Sequence, residues 1–255
     1  MNKHSEAYKS LCAEFYDIDK PAPPKDAFEF YLRFAEQAPG PILEPMCGTG
    51  RFLIPLVEKG HQVTGFDTSP DMLKSCRKKC RERGFTPELY EASFENFRTP
   101  SQYNLIYIPS GSFCLLLTSE QVSQALTFIA DRLTTSGKFV FEVEIIKTVR
   151  EPQGTWRGRW VTKPDGSIIM LNILSEFNPT TRIETGFCRY ELWEQNAISK
   201  TEVEVFHVRH YEPFEMDSLL LQHSLKVVNR WQAEPHSGLK ATDQDEVILY
   251  ECMKS

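Results

Sequence analysis

An acidic residue precedes a two-glycine turn in the stretch ILEPMCGTGRFLIPL, residues 42–56. Gly48 and Gly50 would let a ligand approach the backbone closely, because neither carries a side chain. A dinucleotide-binding turn would have a third glycine at position 53, where this chain has Leu53. Glu44 would repel a pyrophosphate and attract a sulfonium or ammonium group. The turn therefore favours a ligand that carries positive charge.

A second acidic residue, Asp67, ends the next apolar run, 19 residues after Gly48. At this position a carboxylate can accept hydrogen bonds from both hydroxyls of a ribose. Dinucleotide-binding and adenosylmethionine-binding proteins share this feature. Asp67 therefore indicates an adenosyl ligand without distinguishing between the two classes.

The elements around these residues alternate between apolar runs and helical patterns up to about residue 145. This alternation is typical of a parallel sheet with crossover helices, in which ligands bind beyond the carboxyl ends of the strands. The predicted strands span residues 41–45, 62–67, 87–92, 104–109 and 138–144, and the predicted helices span 51–59, 70–83 and 119–133.

The pattern changes after residue 144. Three strand-like runs, 168–177, 182–193 and 200–211, follow one another without helices and predict an antiparallel meander. A helix at 215–223 and strands at 225–231 and 246–252 complete the pattern. We expect an α/β fold with a doubly wound, seven-stranded Rossmann-like sheet and an antiparallel β-meander insertion.

Composition limits the function classes. A formal net charge of −6 over 255 residues argues against a broad grip on phosphate backbones, so a nucleic-acid partner is unlikely. Seven cysteines without paired spacing predict free thiols in a reducing compartment, and no metal site is expected. We found neither a signal-peptide pattern nor an apolar run long enough to cross a membrane, which predicts a cytoplasmic protein.

Residues 41 to about 145 resemble a class I S-adenosylmethionine-dependent methyltransferase. The match rests on the motif acid-x-x-Cys-Gly-Thr-Gly, which begins at Glu44, and on the ribose acid at Asp67. The resemblance implies that the loop wraps the methionine part of the cofactor and that Glu44 faces its amino group. Ser93 lies where the family usually has an acidic contact to the adenine amine. The implied cofactor-binding residues are Tyr16, Glu44, Met46, Cys47, Gly48, Thr49, Gly50, Asp67, Thr68, Met72, Ala92, Ser93, Phe94 and Pro109.

The rest of the chain resembles, more weakly, the small-molecule branch of that family, which includes glycine and sugar-amine N-methyltransferases. Glu14–Asp17 resembles a segment that places a tyrosine, here Tyr16, over the cofactor. The resemblance implies a methyltransferase domain of residues 1–147 and 212–255, with an N-terminal helical cap at 1–40. Residues 148–211 would form the β insertion, as a lid over the substrate.

The acceptor pocket is predicted from the end of the meander. His207, Arg209 and Tyr211 share one face of a strand with a period of two, and this face would point either into a pocket or into water. His207, and after it His210, could deprotonate an amine acceptor, whereas Arg209 could hold a carboxylate. Arg209 and Tyr211 also resemble an Arg-x-Tyr segment of small-molecule methyltransferases, which lies between the meander and the next helix. Arg51 could contact a carboxylate or lie on the surface, and Trp156 and Trp160 are expected in the core of the insertion rather than in a lid.

The expected function is methyl transfer from S-adenosylmethionine to a small-molecule acceptor, at nitrogen or oxygen, by a monomer or homodimer. Three alternatives remain at this point: a non-catalytic S-adenosylmethionine-binding protein, a methyltransferase that acts on a protein or nucleic acid, and a nicotinamide oxidoreductase. Leu53 and Glu44 disfavour the oxidoreductase. The motif after the fourth strand, residues 109–113, disfavours two classes of nucleic-acid methyltransferase, because it matches neither of their signatures.

Overall fold

The structure is a computed structural model that describes residues 7–149 and 153–255. Residues 1–6 of the predicted cap and 150–152 of the predicted insertion lie outside the described residues. Within the described ranges, none of the helices combines the length and apolarity needed to cross a membrane.

Helices form where capping signals and apolar periodicity coincide. In α4, Ser69 accepts a hydrogen bond from the backbone of Met72 and Pro70 occupies the first turn. Thr118 and Gln121 form a reciprocal capping box at the start of α5. The helices are α1 Ser10–Asp19, α2 Lys25–Gln37, α3 Leu53–Glu58, α4 Pro70–Glu82, α5 Ser119–Arg132 and α6 Met216–Gln222, with 3₁₀ turns at Ser112–Leu115 and Ile146–Thr148.

Seven strands form the main sheet in the order β10-β11-β5-β4-β1-β2-β3. β11 is antiparallel to both of its neighbours, and the other adjacent pairs are parallel. The order reverses beside β1, which lies between β2 and β4, so the ligand crevice is expected there. The strands are β1 Ile42–Pro45, β2 Val63–Asp67, β3 Leu89–Glu91, β4 Tyr103–Ile108, β5 Leu133–Glu144, β10 Leu225–Gln232 and β11 Val247–Lys254.

A second sheet contains the antiparallel strands β6 Arg157–Thr162, β7 Ile168–Asn178, β8 Ile183–Glu194 and β9 Ala197–Arg209. The predicted fold class is confirmed, but the sequence pattern missed β6. The prediction that Trp156 and Trp160 lie in the core was wrong. Trp160 is 65% exposed because it points away from the protein on an edge strand whose Val161 faces inward.

Helix α1 joins the two sheets. Leu11 and Phe15 are buried in one cluster with Ile169 and Tyr190 of the second sheet and with Met72 of α4. Glu204 of β9 accepts hydrogen bonds from the backbone N–H groups of Tyr8 and Lys9, both at 2.7 Å. These contacts hold the N-terminal segment and the second sheet against the main sheet.

Candidate active site

A cavity of about 720 Å³ opens at the carboxyl ends of β1, β2, β4 and β5. The N-terminal segment and β9 also contribute to its wall. Gly50, Arg209, Tyr211 and the second candidate base, His210, are the candidate residues that do not line it. The candidates that do are Tyr16, Glu44, Met46, Cys47, Gly48, Thr49, Asp67, Thr68, Met72, Ala92, Ser93, Phe94, Pro109 and His207.

The two glycines of the loop have different roles. Both have positive φ, +52° at Gly48 and +80° at Gly50, a conformation that favours glycine. A Cβ atom added to Gly48 would meet no atom within 4 Å, because it would enter the cavity. A Cβ atom added to Gly50 would lie 2.5 Å from Cys76 Sγ of α4. Gly48 therefore leaves room for a ligand, whereas Gly50 lets the loop pack on the helix behind it.

Close packing between β2 and α3 does not require a glycine at position 53. Leu53 is fully buried, and its Cδ1 atom lies 2.7 Å from the position of a Cβ atom added to Gly65. Gly65 of β2 thus provides the close approach that a third glycine provides in a dinucleotide fingerprint. The sequence analysis considered position 53 alone and therefore did not predict the role of Gly65.

Asp67 is tied to the glycine loop. Its two carboxylate oxygens accept hydrogen bonds from the backbone N–H groups of Gly48 and Ser69, each at 2.8 Å. Burial raises the pKa of Asp67, and these hydrogen bonds oppose the rise. Each oxygen keeps a lone pair for a further donor, so the carboxylate can accept a pair of vicinal hydroxyls.

Glu44 lies at the base of the same loop and is 2% exposed. The phenol of Tyr107, on the neighbouring strand β4, donates a hydrogen bond to its carboxylate. Burial raises the pKa of Glu44 to about 8, against the lowering effect of Tyr107. A buried carboxylate is stabilised by a cation brought close to it, so this position suits an ammonium group.

Thr49 provides an independent test of whether a polar ligand fits. Its hydroxyl is buried at the cavity wall and has no hydrogen-bond partner in the part of the chain that the structure describes. Buried polar atoms normally have a partner, so a ligand with polar groups at this wall would satisfy it. Glu44, Thr49 and Asp67 together fit a ligand with a cationic end and a hydroxyl-bearing end.

The N-terminal segment adds residues that sequence reasoning did not assign. Tyr8 and Lys20 line the cavity beside the predicted Tyr16. Arg51 also lines it, and its guanidinium donates hydrogen bonds to the carbonyl of Ala22 at 3.1 Å and to the Tyr16 hydroxyl at 3.4 Å. Burial, followed by the charges of Arg51 and Arg159, lowers the pKa of Lys20. The basic pair Lys20 and Arg51 could interact with an anionic group, a possibility that the sequence raised for Arg51 alone.

The other end of the cavity contains Glu144, the last residue of β5, which sequence reasoning also missed. Oε2 of Glu144 lies 4.0 Å from Nδ1 of His210, a side chain that is 1% exposed. His210 Nδ1 is 2.8 Å from the Thr148 hydroxyl, and its Nε2 is 3.1 Å from Glu184 Oε2. The only available sequence signal was the position of Glu144 at the end of a predicted strand.

The three predicted acceptor residues occupy different environments. His207 is exposed and lies 3.0 Å from the Thr185 hydroxyl, at the edge of the cavity wall. Arg209 forms an ion pair with Glu215 at 3.4 Å, outside the cavity wall. Tyr211 follows β9 along the chain. Its side chain is 0% exposed and lies in the hydrophobic core of the main sheet.

The sequence left open whether this face points into a pocket or into water. Of the three candidates for the acceptor pocket, the structure places only His207 at the cavity, because Arg209 is held in an ion pair and Tyr211 lies in the core. The opposite face of β9 packs inward. Phe206 packs against the cluster of α1 and second-sheet residues that contains Leu11 and Phe15, and Val208 packs against the hydrophobic core of the main sheet. His210, the second histidine considered, is buried behind Glu144 rather than exposed to the cavity.

Residues 42–137 match the family model described as "Methyltransferase domain". A protein of Geobacillus sp. (strain WCH70), provisionally named a methyltransferase, is 28% identical over 141 residues, which cover 53% of this chain and 57% of that protein. A similarly named protein of Bacillus subtilis (strain 168) is 28% identical over 131 residues, 51% of this chain and 53% of that protein. The matches thus extend over little more than half the length of these curated relatives.

Solved structures match over nearly the whole chain. An S-adenosylmethionine-dependent methyltransferase from Clostridium acetobutylicum ATCC 824 has a TM-score of 0.78 at 18% identity, covering 94% of this chain and 96% of that chain. DesVI of Streptomyces venezuelae has a TM-score of 0.74 at 18% identity, covering 97% and 100%. CalS10 of Micromonospora echinaspora, an amino pentose methyltransferase, has a TM-score of 0.69 at 16% identity, covering 99% and 100%. The fold of the whole chain is therefore that of these enzymes, and the predicted resemblance is confirmed.

The segment that matches the family model supplies only part of the cavity. Glu44, the glycine loop, Asp67 and Gly111 lie within residues 42–137, whereas Tyr16, Glu144 and the β9 residues lie outside them. Both ends of the cavity therefore combine residues of the matched segment with residues from the rest of the chain.

Proposed function

We propose that this protein transfers a methyl group from S-adenosylmethionine to a small-molecule acceptor, at nitrogen or oxygen. The observation that carries the proposal is the arrangement at the ends of β1 and β2. There, the buried acid Glu44, the hydroxyl-accepting acid Asp67 and Gly48, which has open space above it, line one cavity. In S-adenosylmethionine the sulfonium joins an amino-acid part, which carries an ammonium group, to adenosine, which carries two ribose hydroxyls. The ammonium group matches Glu44, and the ribose hydroxyls match Asp67.

Each part of that donor has a candidate partner. Asp67 would accept hydrogen bonds from the ribose hydroxyls, and Glu44 would lie near the ammonium group of the methionine part. Met72, Ala92 and Phe94 provide an apolar wall for the adenine. The donor, when bound, supplies a methyl group already activated by positive sulfur. The chain's own task is then to hold an acceptor close to that methyl group in line for attack.

A small acceptor is supported by the enclosure of the cavity. Its volume of about 720 Å³ is within the range of small-molecule sites, and both the N-terminal segment and β9 contribute to its wall. Among the similar structures, CalS10 is an amino pentose methyltransferase and KedS8, from Streptoalloteichus sp. ATCC 53650, is a sugar N-methyltransferase, with a TM-score of 0.71 for KedS8. We extend this acceptor class to the present chain as part of the proposal, with the insertion as the lid.

The location and assembly of the protein also remain proposals. Seven buried, unpaired cysteines favour a reducing compartment such as the cytoplasm. A monomer or a homodimer is compatible with a cavity whose described wall comes from a single chain.

Calorimetry with S-adenosylhomocysteine and NADH tests the donor assignment directly. We expect S-adenosylhomocysteine to bind and NADH to give no specific heat, because NADH brings a pyrophosphate and no ammonium group to the buried acid Glu44, and a nearby anion opposes its ionisation. A methyl-release assay over amines, amino acids, sugars and phenols then identifies the acceptor class. Binding of NADH in place of S-adenosylhomocysteine would sink the proposal, and donor binding without methyl release to any acceptor would support a non-catalytic binding protein instead.

A further inference from the structure

Glu144 lies on the opposite side of the glycine loop from Asp67. The sheet order runs β2, β1, β4, β5, so three strand spacings separate the ends of β2 and β5, or about 14 Å. Asp67 ends β2 and Glu144 ends β5, and both line the same cavity. If the adenosyl part of the donor lies at Asp67, an acceptor must approach from the side of β4 and β5.

The carboxylate of Glu144 is close to the loop after β4 and has few partners. A Cβ atom at Gly111 would lie 3.0 Å from its Oε1 atom, so glycine at this position leaves room for the carboxylate. Across residues 7–149 and 153–255, no side chain or backbone group donates a hydrogen bond to it. Its side chain is 35% exposed. Water can hydrate this carboxylate in the free protein, so a ligand that displaces the water must supply hydrogen-bond donors of its own.

Behind Glu144, a buried imidazole is held from two sides. His210 lies between the Thr148 hydroxyl, 2.8 Å from Nδ1, and Glu184, 3.1 Å from Nε2. The ring of Phe177 packs edge-on against it, with centroids 5.7 Å apart. These contacts fix the imidazole 4.0 Å behind Glu144, on the side away from the cavity.

The surrounding charges favour a proton acceptor at this position. Burial raises the pKa of Glu144, His210 lowers it, and the neighbouring acids Glu184, Glu234 and Glu142 raise it. Lys20, the residue that follows α1, also interacts electrostatically with Glu144. A carboxylate with a raised pKa accepts a proton more readily than an ordinary surface carboxylate.

We propose that Glu144 binds the protonated nitrogen of an amine acceptor and takes its proton, and that His210 is the residue that positions Glu144. This inference rests on the proposed function and narrows its acceptor from nitrogen or oxygen to a primary or secondary amine. The N–H proton passes to the Glu144 carboxylate, which becomes a neutral carboxylic acid. The freed lone pair of nitrogen forms the new bond to the methyl carbon. The carbon–sulfur bond breaks, its electron pair stays on sulfur, and Glu144 later returns the proton to solvent.

An amine satisfies the carboxylate in a way that a neutral alcohol does not. The ammonium form brings both the opposite charge and N–H donors to a group that lacks them. An alcohol would bring one donor and no charge, and its proton is far harder to remove at neutral pH.

A binding test separates this proposal from the proposed function. The protein is saturated with S-adenosylhomocysteine and titrated calorimetrically with benzylamine, glycine and glucosamine, each matched with benzyl alcohol, glycolate or glucose. We expect at least one amine to bind at least tenfold more tightly than its hydroxyl counterpart. Glu144→Gln should weaken that amine at least about 30-fold, because it removes the charge that pairs with the ammonium group.

Glu91→Gln is the matched control. Glu91 ends β3 on the same sheet edge but is exposed and lies outside the cavity wall, so this variant should retain the amine preference. If the wild type binds amines no more tightly than alcohols, or if Glu144→Gln retains the preference, the proposal is overturned. Failure of S-adenosylhomocysteine to bind the wild type would instead overturn the proposed function.

The positioning role of His210 has its own readout. The rate of amine methylation should rise with pH as Glu144 ionises, because only its carboxylate form can take the proton. His210→Gln removes an interaction that lowers the pKa of Glu144, so this rise should move to higher pH while S-adenosylhomocysteine affinity stays within about twofold. A lower rate with an unmoved pH profile would mean that His210 only supports the fold, and would overturn its positioning role.

Discussion

The two ends of the cavity use carboxylates in different ways. At the donor end, Asp67 accepts two backbone hydrogen bonds and Glu44 accepts one from Tyr107. At the acceptor end, Glu144 receives no hydrogen bond from the described residues and is backed by His210 at 4.0 Å. The donor end is thus preorganised by the protein itself, whereas the acceptor end keeps an unsatisfied carboxylate for its ligand.

The two ends also differ in how the chain builds them. The two acids and the glycine loop of the donor end come from a single strand-turn-helix-strand segment, residues 42–67. The acceptor end brings together Gly111, Glu144, Glu184 and His210 from four separate parts of the chain. Substitutions at the acceptor end can therefore change the acceptor chemistry while the acids and the glycine loop of the donor end stay intact.

The largest expected effect is at the donor end. Asp67→Ala should weaken S-adenosylhomocysteine binding about 100-fold in calorimetry, because two hydrogen bonds to a charged acceptor are lost. The loop should also lose order, since Asp67 holds Gly48. Glu91→Gln again serves as the control, with unchanged affinity. Unchanged affinity in Asp67→Ala would refute the ribose assignment and, with it, the preorganised donor end.

The two glycines should separate ligand binding from stability. Gly50→Ala combines a positive φ with contact to Cys76, so it should lower the free energy of unfolding by about 2 kcal/mol more than Gly48→Ala. Gly48→Ala should instead weaken donor binding about tenfold, because its methyl group enters the cavity. Urea denaturation and calorimetry on both variants measure the two effects. Equal losses of stability with no loss of affinity in Gly48→Ala would contradict the assignment.

The pH dependence of donor binding tests Glu44. Its pKa of about 8 means that the ionised fraction of its carboxyl group grows about tenfold from pH 6 to pH 7 and about fivefold from pH 7 to pH 8. S-adenosylhomocysteine affinity should therefore rise by up to about tenfold per unit over this range. It should fall again at higher pH, where the ligand's α-amino group loses its charge.

Glu44→Gln is the control for this profile, because it keeps the shape of the side chain and removes the ionisation. Its affinity should not rise between pH 6 and 8. Calorimetry at pH 7 in buffers of different ionisation enthalpy should also show proton release on binding to the wild type. A flat profile in the wild type would mean that Glu44 does not face the ammonium group.

The sequence predicted the donor end well because its residues are close together along the chain. Glu44, Gly48 and Asp67 lie on two neighbouring strands and one turn, so their spacing alone determines their proximity. The parallel sheet was predictable for the same reason, since alternating apolar runs and helices specify it. Gly50 was placed with the ligand because spacing cannot tell which of two glycines faces a helix.

The acceptor end was harder to predict because its geometry depends on tertiary packing. Periodicity placed His207, Arg209 and Tyr211 on one face of a strand, but it could not show that α1 and the main sheet pack against the other face. Glu144 and Glu184 are far apart in sequence and meet only through His210. Strand β6 was missed because an exposed edge strand lacks the apolar alternation of a half-buried one.

The smallest effect concerns a residue that was predicted for the acceptor end and lies in the core. The Tyr211 hydroxyl is buried without a hydrogen-bond partner among the described residues, which costs free energy in the folded state. Tyr211→Phe should therefore raise the free energy of unfolding by about 1 kcal/mol in urea denaturation. Tyr107→Phe, which removes a hydroxyl bonded to Glu44, should lower it by about 2 kcal/mol. If Tyr211→Phe is destabilising like Tyr107→Phe, the Tyr211 hydroxyl has a partner such as a buried water, and the acceptor end extends further into the core than the cavity wall indicates.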